Sequence, residues 1–283
     1  MRFPDWMQRR RLTLPLSIAA FSTLALLLAN AAEPPLNRTL AQRNWLPDPK
    51  PVKKPPKPST CPAIQDPDPL MGPRTRMPGR WKGLTGVPKD LPIVVMAGHA
   101  DSQNMDGSGT PGYAVDVLKQ EPMDGRMRDE LYWNFLVQKQ VVQLGRKQGL
   151  NITGYTPASL SIPNNADPRT NWAQAKKRSA KGEYILEIHF DAYSPYGFGS
   201  GLIPAINRPL NSVDESLAEA FGRFPRNFRG GLGGPRRGIG ILEIGMLQGE
   251  LETRLRDPAQ RQATIECLAS RVVDALQAGV DKR

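Results

Sequence analysis

Beyond about residue 88 the chain alternates between two periods of apolar and polar positions. Leu91-Pro-Ile-Val-Val-Met96 is a continuous apolar run of strand length, closing on Ala97-Gly98-His99. Glu130 to Gln148 sets Leu131, Phe135 and Val142 on one helical face. Asn151 to Tyr155 reads as a short strand, Arg169 to Ala180 as a polar helix, and Tyr184-Ile-Leu-Glu-Ile-His189-Phe190 as a second strong strand. Ser212 with Glu215 spells a capping box for a helix through Phe221. Ile239-Gly-Ile-Leu-Glu243-Ile244 is a third strand. Asp257-Pro258 reads as an N-cap with proline at the first helical position, ahead of a face built from Ile265, Leu268, Ala269, Val272, Val273 and Leu276. Apolar strands alternating with helices predict a three-layer α/β fold, with a twisted, mostly parallel sheet and helices on both faces.

The first third of the chain has a different texture. Residues 1–11 are basic and residues 12–32 carry no charge, ending Leu-Leu-Leu-Ala29-Asn30-Ala31-Ala32. This pattern predicts a secretory signal peptide over 1–32, or an uncleaved membrane anchor through 12–32. Either puts the remainder outside the cytoplasm, in the periplasm or cell envelope. Residues 33–80 hold 13 of the 28 prolines, which remove backbone donors and fix φ, so 33–87 reads as an extended Pro/Lys-rich linker. The globular domain is expected over 88–283.

The formal net charge of +11 at first suggests a polyanionic partner. Its distribution changes that: residues 1–31 carry +3, residues 32–80 +5, and residues 81–283 only +3. The excess belongs mainly to the export signal and linker, so no nucleic-acid partner is expected.

Two histidines exclude a site needing three, and two cysteines exclude a Cys-rich metal module. Cys61 and Cys267 could pair in an oxidising compartment, tying the linker to the last helix, or Cys267 could be an ordinary buried thiol. His99 and His189 both close apolar runs, at the carboxyl edge where open α/β sheets build their sites. Glu243 sits inside a third apolar strand, where a carboxylate must be paired, metal-bound or raised in pKa.

Taken together, these segments resemble the zinc-dependent N-acetylmuramoyl-L-alanine amidases. Ile93 to His99 resembles the family's first strand, which usually ends Gly-His-Gly. Glu130-Leu-Tyr-Trp-Asn134 resembles its helix start, and Gly149 the turn after that helix. Arg169 to Asn171 resembles its Arg- and Asn-bearing helix. Glu187-Ile-His189-Phe-Asp-Ala192 is similar to Ser-Ile-His-x-Asn-Ala, and Ile241-Leu-Glu243-Ile-Gly to the strand bearing the catalytic glutamate. The likeness covers about residues 90–280 in family order.

It implies Zn2+ held by His99, Glu130 and His189, with Glu243 as the catalytic acid and base. The implied substrate is the amide joining the lactyl group of N-acetylmuramic acid to L-alanine in peptidoglycan. Asn134, Asp191, Arg236 and Arg237 are the expected substrate-binding residues, the arginines as carboxylate partners. The chain is expected to be a monomer.

Departures are Ala100 for the third glycine, Glu187 for serine and Asp191 for asparagine, together with a long His99–Glu130 segment. That segment holds two further acidic candidates, Asp101 and Glu121, so Glu121 stands beside Glu130 as a possible third ligand. Glu187 has no assigned role. A non-catalytic peptidoglycan-binding or regulatory module, or a zinc peptidase, are the alternative readings.

Overall fold

The order of the strands in the central sheet is β2-β1-β3-β5-β4, formed by β1 (Ile93–Ala97), β2 (Ile152–Tyr155), β3 (Tyr184–Asp191), β4 (Gly201–Ile203) and β5 (Ile239–Met246). The pairs β1–β2, β1–β3 and β3–β5 are parallel, and the short edge strand β4 runs antiparallel to β5. This computed structural model describes residues 61–75, 81–82 and 85–282. The expected signal or anchor over 1–32 and much of the linker lie outside the described residues. Among those described, no helix is long and apolar enough to cross a membrane.

Strand periodicity sorts side chains onto two faces. Ile93 and Val95 of β1, Leu186, Ile188 and Phe190 of β3, and Leu242 and Ile244 of β5 form one core. They pack against α2 (Asp129–Lys147), α4 (Ser212–Phe221) and α6 (Arg261–Asp281). Trp133 and Val137 of α2, Leu217 and Phe221 of α4, and Leu268 and Val272 of α6 are fully buried there. The opposite face carries Val94, Met96, Ile185, Ile239 and Ile241, covered by α3 (Asn171–Ser179) and by Phe224, Phe228 and Leu232. Helices on both faces of a mostly parallel sheet make this the three-layer α/β architecture that the alternation predicts.

Two local expectations shift. The cap of α4 is Asn211, not Ser212: its Oδ1 accepts from Val213 and Asp214 N–H, and the Asp214 side chain accepts from Asn211 N–H. An amide oxygen at the extended residue reaches those donors, which places the capping box one residue earlier. Asp257 does not open α6; it follows α5 (Gly249–Arg256) as its C-cap, and α6 begins at Arg261 after a turn. The carboxylate of Asp257 accepts from Ala259 N–H and Gln260 Nε2, stabilising that turn in place of a helix start.

Residues 61–75, assigned to the linker by their prolines, pack on the domain. Leu70 and Met71 are buried, and Cys61 is disulfide-bonded to Cys267 of α6 with a Cα–Cα distance of 5.2 Å. The buried Asp68 carboxylate meets Arg271 Nη1 at 3.1–3.2 Å and accepts from Leu70 and Met71 N–H, while Arg271 Nη2 donates to Pro62 O. Further along this strap, Thr75 N–H donates to Ser200 O and Ser200 N–H to Pro73 O, beside β4. Proline content correctly excludes a sheet or helix here, but not packing.

Another buried carboxylate lies on α5. Glu252 accepts from Ala114 N–H, in α1 (Gly112–Asp116), at 3.0–3.1 Å. Burial pushes its carboxyl up to about 7 despite that hydrogen bond and the nearby Arg256. A carboxyl raised on folding binds its proton more tightly in the native state. Its contribution is therefore full below the ordinary carboxylate range and is lost as pH rises to about 7. Glu252→Gln, which keeps an acceptor for Ala114, is expected to remove this slope and to leave the protein more stable than the native chain at pH 8. Urea denaturation at pH 5 and pH 8 checks this; parallel pH dependence in the two proteins would exclude Glu252 as its source.

Candidate metal centre

The site forms where β1, β3 and β5 end. His99, one residue beyond the Gly98 that follows β1, is in the left-handed region, at φ +62, an uncommon conformation that a functional site can hold at a cost of order 1–3 kcal/mol. Gly98 makes the approach of the second histidine possible. A Cβ there would fall 2.2 Å from His189 Cε1 and 2.3 Å from its Nε2. Glu130 lies in the first turn of α2, and Asn134 Nδ2 one turn later donates to Gly98 O at 3.1 Å. The helix and the strand end are thereby tied together.

Three donor groups converge. His99 Nε2 lies 3.2 Å from Glu130 Oε1, and His189 Nδ1 lies 3.1 Å from the same oxygen. One ligand atom from each residue falls within 4.8 Å of the others. The outer contacts decide which nitrogen of each ring faces the centre. His99 Nδ1 is 2.6 Å from Gly107 O, and a carbonyl only accepts, so Nδ1 carries a proton and Nε2, 3.2 Å from Glu130, is the nitrogen a cation would take. His189 Nε2 is 3.2 Å from Glu187 Oε2, a partner for an outward Nε2–H, so Nδ1, which faces Glu130 at 3.1 Å, is the nitrogen a cation would take in place of its proton.

Glu187 is therefore a partner of His189 that sequence reasoning left without a role. The signal was present, because residues two apart on a strand share a face. Its other oxygen accepts from Asn171 Nδ2 at 2.8 Å, and Asn171 Nδ2 also donates to Ala97 O. Asn171 N–H in turn donates to Asp101 Oδ2 at 2.7 Å. Losing a carboxylate behind a ligating imidazole typically weakens metal affinity about 10–100-fold. Glu187→Ala is expected to weaken the binding of an added divalent cation by that amount, measured with zinc in competition with a chromophoric chelator; unchanged affinity would show that His189 is held without it.

The electrostatics favour positive charge at the centre. Burial opposes ionisation of Glu130, but the charge of His99 and the hydrogen bonds of both histidines hold its carboxyl well below the usual range. For His189, burial disfavours the imidazolium, yet the hydrogen bonds to Glu130 and Glu187 and the charges of Glu243 and Glu187 raise its pKa well above the ordinary value. Two imidazoles and a carboxylate arranged in this way suit a divalent cation of zinc type, which prefers such N and O donors.

Glu243 stands opposite His189 in the β3–β5 register and on the same face of the sheet. Its Oε2 is buried and has no hydrogen-bond partner among the described residues. Burial raises its carboxyl to about 8, with Asp191 and Glu130 adding to the shift and His189 and Arg229 opposing it.

The long His99–Glu130 segment shapes the centre without blocking it. Thr110 N–H donates to Glu130 Oε2 at 2.7 Å, and Gly107, Gly109, Thr110, Pro111 and Asp116 form one wall of an open cleft of about 460 Å³. Neither Asp101 nor Glu121 enters the donor cluster: Asp101 bonds Asn171, and Glu121 is exposed, with its carbonyl accepting from Arg256.

The expected substrate-binding residues fare unevenly. Asp191 lines the cleft, but its carboxylate accepts from the N–H groups of Ala192, Phe198 and Gly199, organising the 192–199 loop. Asn134 is buried beneath the cleft. Arg236 and Arg237 are not among the cleft's lining residues. Arg236 donates to Gly230 and Gly231 carbonyls, while Arg237 stacks on Trp172 at 4.1 Å and donates to Gly233 O. Their guanidinium groups serve the loop's own backbone. The arginine that lines the cleft is Arg229, which spacing alone could not single out from its neighbours.

Fold and site together define an α/β protein with a two-histidine, one-carboxylate centre at the carboxyl edge of its sheet. No family model and no curated protein matches the chain. Solved structures of N-acetylmuramoyl-L-alanine amidases are similar to it. That from Clostridium difficile 630 is 14% identical with a TM-score of 0.45, covering 69% of this chain and 99% of its own. The Mycobacterium smegmatis enzyme is 15% identical at 0.42, covering 67% and 99%. The Nostoc punctiforme enzyme is 14% identical at 0.40, covering 68% and 97%. Likeness at this level does not assign an activity, which has to rest on the residues of the site.

Proposed function

We propose that this chain is an exported zinc amidohydrolase. Its substrate is the amide between N-acetylmuramic acid and the L-alanine of peptidoglycan stem peptides, and its role is in remodelling the cell wall. One observation carries the reading: His99, Glu130 and His189 converge, with Gly107 O and Glu187 holding the outer nitrogens of the two imidazoles, and Glu243 faces them with an Oε2 that has no hydrogen-bond partner among the described residues. His99 Nε2, Glu130 and His189 Nδ1 would hold the ion. Zinc bound there supplies a Lewis acid for the scissile carbonyl and lowers the pKa of attacking water.

The chain's own groups do the rest. Glu243 accepts the proton of the attacking water at a carboxylate oxygen and delivers it to the departing alanine nitrogen, so that the amine leaves neutral. For this Glu243 must be ionised, which a nearby bound cation favours against the effect of burial. Glu187 and Gly107 O fix the two imidazoles, and Thr110 N–H fixes Glu130. The disulfide between Cys61 and Cys267 agrees with an oxidising compartment outside the cytoplasm.

The test is digestion of purified peptidoglycan by the full chain, with and without a chelator. Release of stem peptides bearing a free L-alanine amine, lost with chelator and restored by zinc, is the expected result. Binding without release at any metal loading would replace the enzyme with a wall-binding module. The full chain is needed because a fragment starting at residue 81 would lack Cys61, Asp68, Leu70 and Met71, which pack on the domain.

A further inference from the structure

Among the described residues, Arg229 is the only lysine or arginine lining the cleft that holds the donor cluster. Its backbone is left-handed at φ +50, and glycines at +75 and +84 follow it. The guanidinium carbon lies 5.1 Å from the ring centroids of both Phe198 and Phe228, so two aromatic faces locate it. Despite this placement, Arg229 makes no ion pair and no side-chain hydrogen bond among the described residues.

The carboxylates that share the cleft do not supply its partner. Asp191 is taken by three backbone N–H groups, Glu130 by two imidazoles and Thr110 N–H, and Asp116 by the Tyr193 hydroxyl. Glu243 forms no ion pair with it. A fork of guanidinium donors, fixed by stacking and left open at the mouth of a cleft, is suited to receive a planar anion through paired hydrogen bonds.

We propose that Arg229 is a carboxylate-recognition residue, and that the cleft selects peptides bearing an ionised carboxylate beyond the scissile amide. The inference rests on the amidase reading for the identity of the peptide, while the placement of the receptor stands on the geometry alone. Phe198, on the loop organised by Asp191, and Phe228 orient the guanidinium. Glu243 lines the same cleft, so recognition of the peptide and positioning of its amide take place in one site.

The experiment compares N-acetylmuramoyl-L-alanyl-D-glutamate with the two forms in which its α- or its γ-carboxylate is converted to the amide. Hydrolysis by the zinc-loaded full chain and calorimetric binding to the metal-free full chain are both measured, for the native protein and for Arg229→Gln. A charge-assisted hydrogen-bond pair is worth about 10–100-fold. One of the two amides is expected to lose that factor in affinity and in kcat/KM with the native chain. Arg229→Gln is expected to weaken the acid form similarly and bring the acid-to-amide ratio close to one. The amide that loses affinity identifies the carboxylate received.

Equal binding of all three ligands by the native chain would overturn the proposal, and so would a preference that survives in Arg229→Gln. Binding with the expected preference but no hydrolysis would retain this inference while removing the amidase reading. Arg229 is exposed, so its replacement is not expected to disturb the fold; Arg229→Lys, which keeps the charge without the fork, should recover only part of the preference.

Discussion

Glu243→Gln is expected to lower peptidoglycan amide hydrolysis by about 10²–10⁴-fold, the usual contribution of a positioned general acid–base group, while leaving zinc affinity unchanged. The pairing of these two readouts is what makes the result informative. Glu243 faces His189 across β3 and β5 but is outside the three-residue donor cluster, so its loss should not empty the centre. Glutamine preserves size and one acceptor but cannot take a proton. Activity within a factor of a few of the native chain would remove Glu243 from the mechanism; a parallel fall in zinc affinity would make it a ligand instead.

Asp68→Ala is expected to destabilise the protein by about 3–5 kcal/mol, the cost of stranding one member of a buried charged pair. Asp68 is 3% exposed and Arg271 5%, so the guanidinium left behind would have little access to water. The substitution also removes the acceptor for Leu70 and Met71 N–H. Denaturation without reductant, so that the Cys61–Cys267 bond persists in both states, isolates this contribution. A double replacement, Asp68→Ala with Arg271→Met, should recover much of the loss by removing the stranded charge. A single-variant loss below about 1 kcal/mol would match an exposed pair and would mean that the strap is not seated on the domain.

The strap bears on the site as well. Thr75 and Pro73 bond to Ser200, the Thr75 hydroxyl donates to Phe198 O, and Met71 O approaches the backbone at Gly245, where a Cβ would fall 2.7 Å from it. Gly245 lies in the segment of β5 where the register with β3 shifts by one residue beyond His189 and Glu243. The N-terminal segment thus supports the loop carrying Phe198, one of the two rings on Arg229.

Much of this molecule is determined by sequence alone, for local reasons. Continuous apolar runs ending at His99 and His189, and the apolar run around Glu243, mark three central strands, and the alternating helices require both faces of a parallel sheet to be covered. The positions of the histidines at the ends of apolar runs mark two members of the donor cluster, and the resemblance offers Glu130 as the third, with Glu121 left beside it. Period-two spacing places Glu187 beside His189, although its function emerges only when Asn171 arrives from another element to hold its second oxygen.

Contacts between distant segments belong to the folded chain and carry the remaining properties. Prolines exclude a helix in 61–75 but say nothing of Asp68 meeting Arg271 more than two hundred positions later. The choice of Glu130 over Glu121 and which nitrogen of each histidine faces the centre depend on what packs beside each group. Among several arginines with the same local chemistry, the backbone path places Arg229 in the cleft and turns Arg236 and Arg237 toward their own loop. Local pattern is a property of neighbours in the chain, whereas burial, protonation and the meeting of a charge with its partner are set by which neighbours the fold brings together in space.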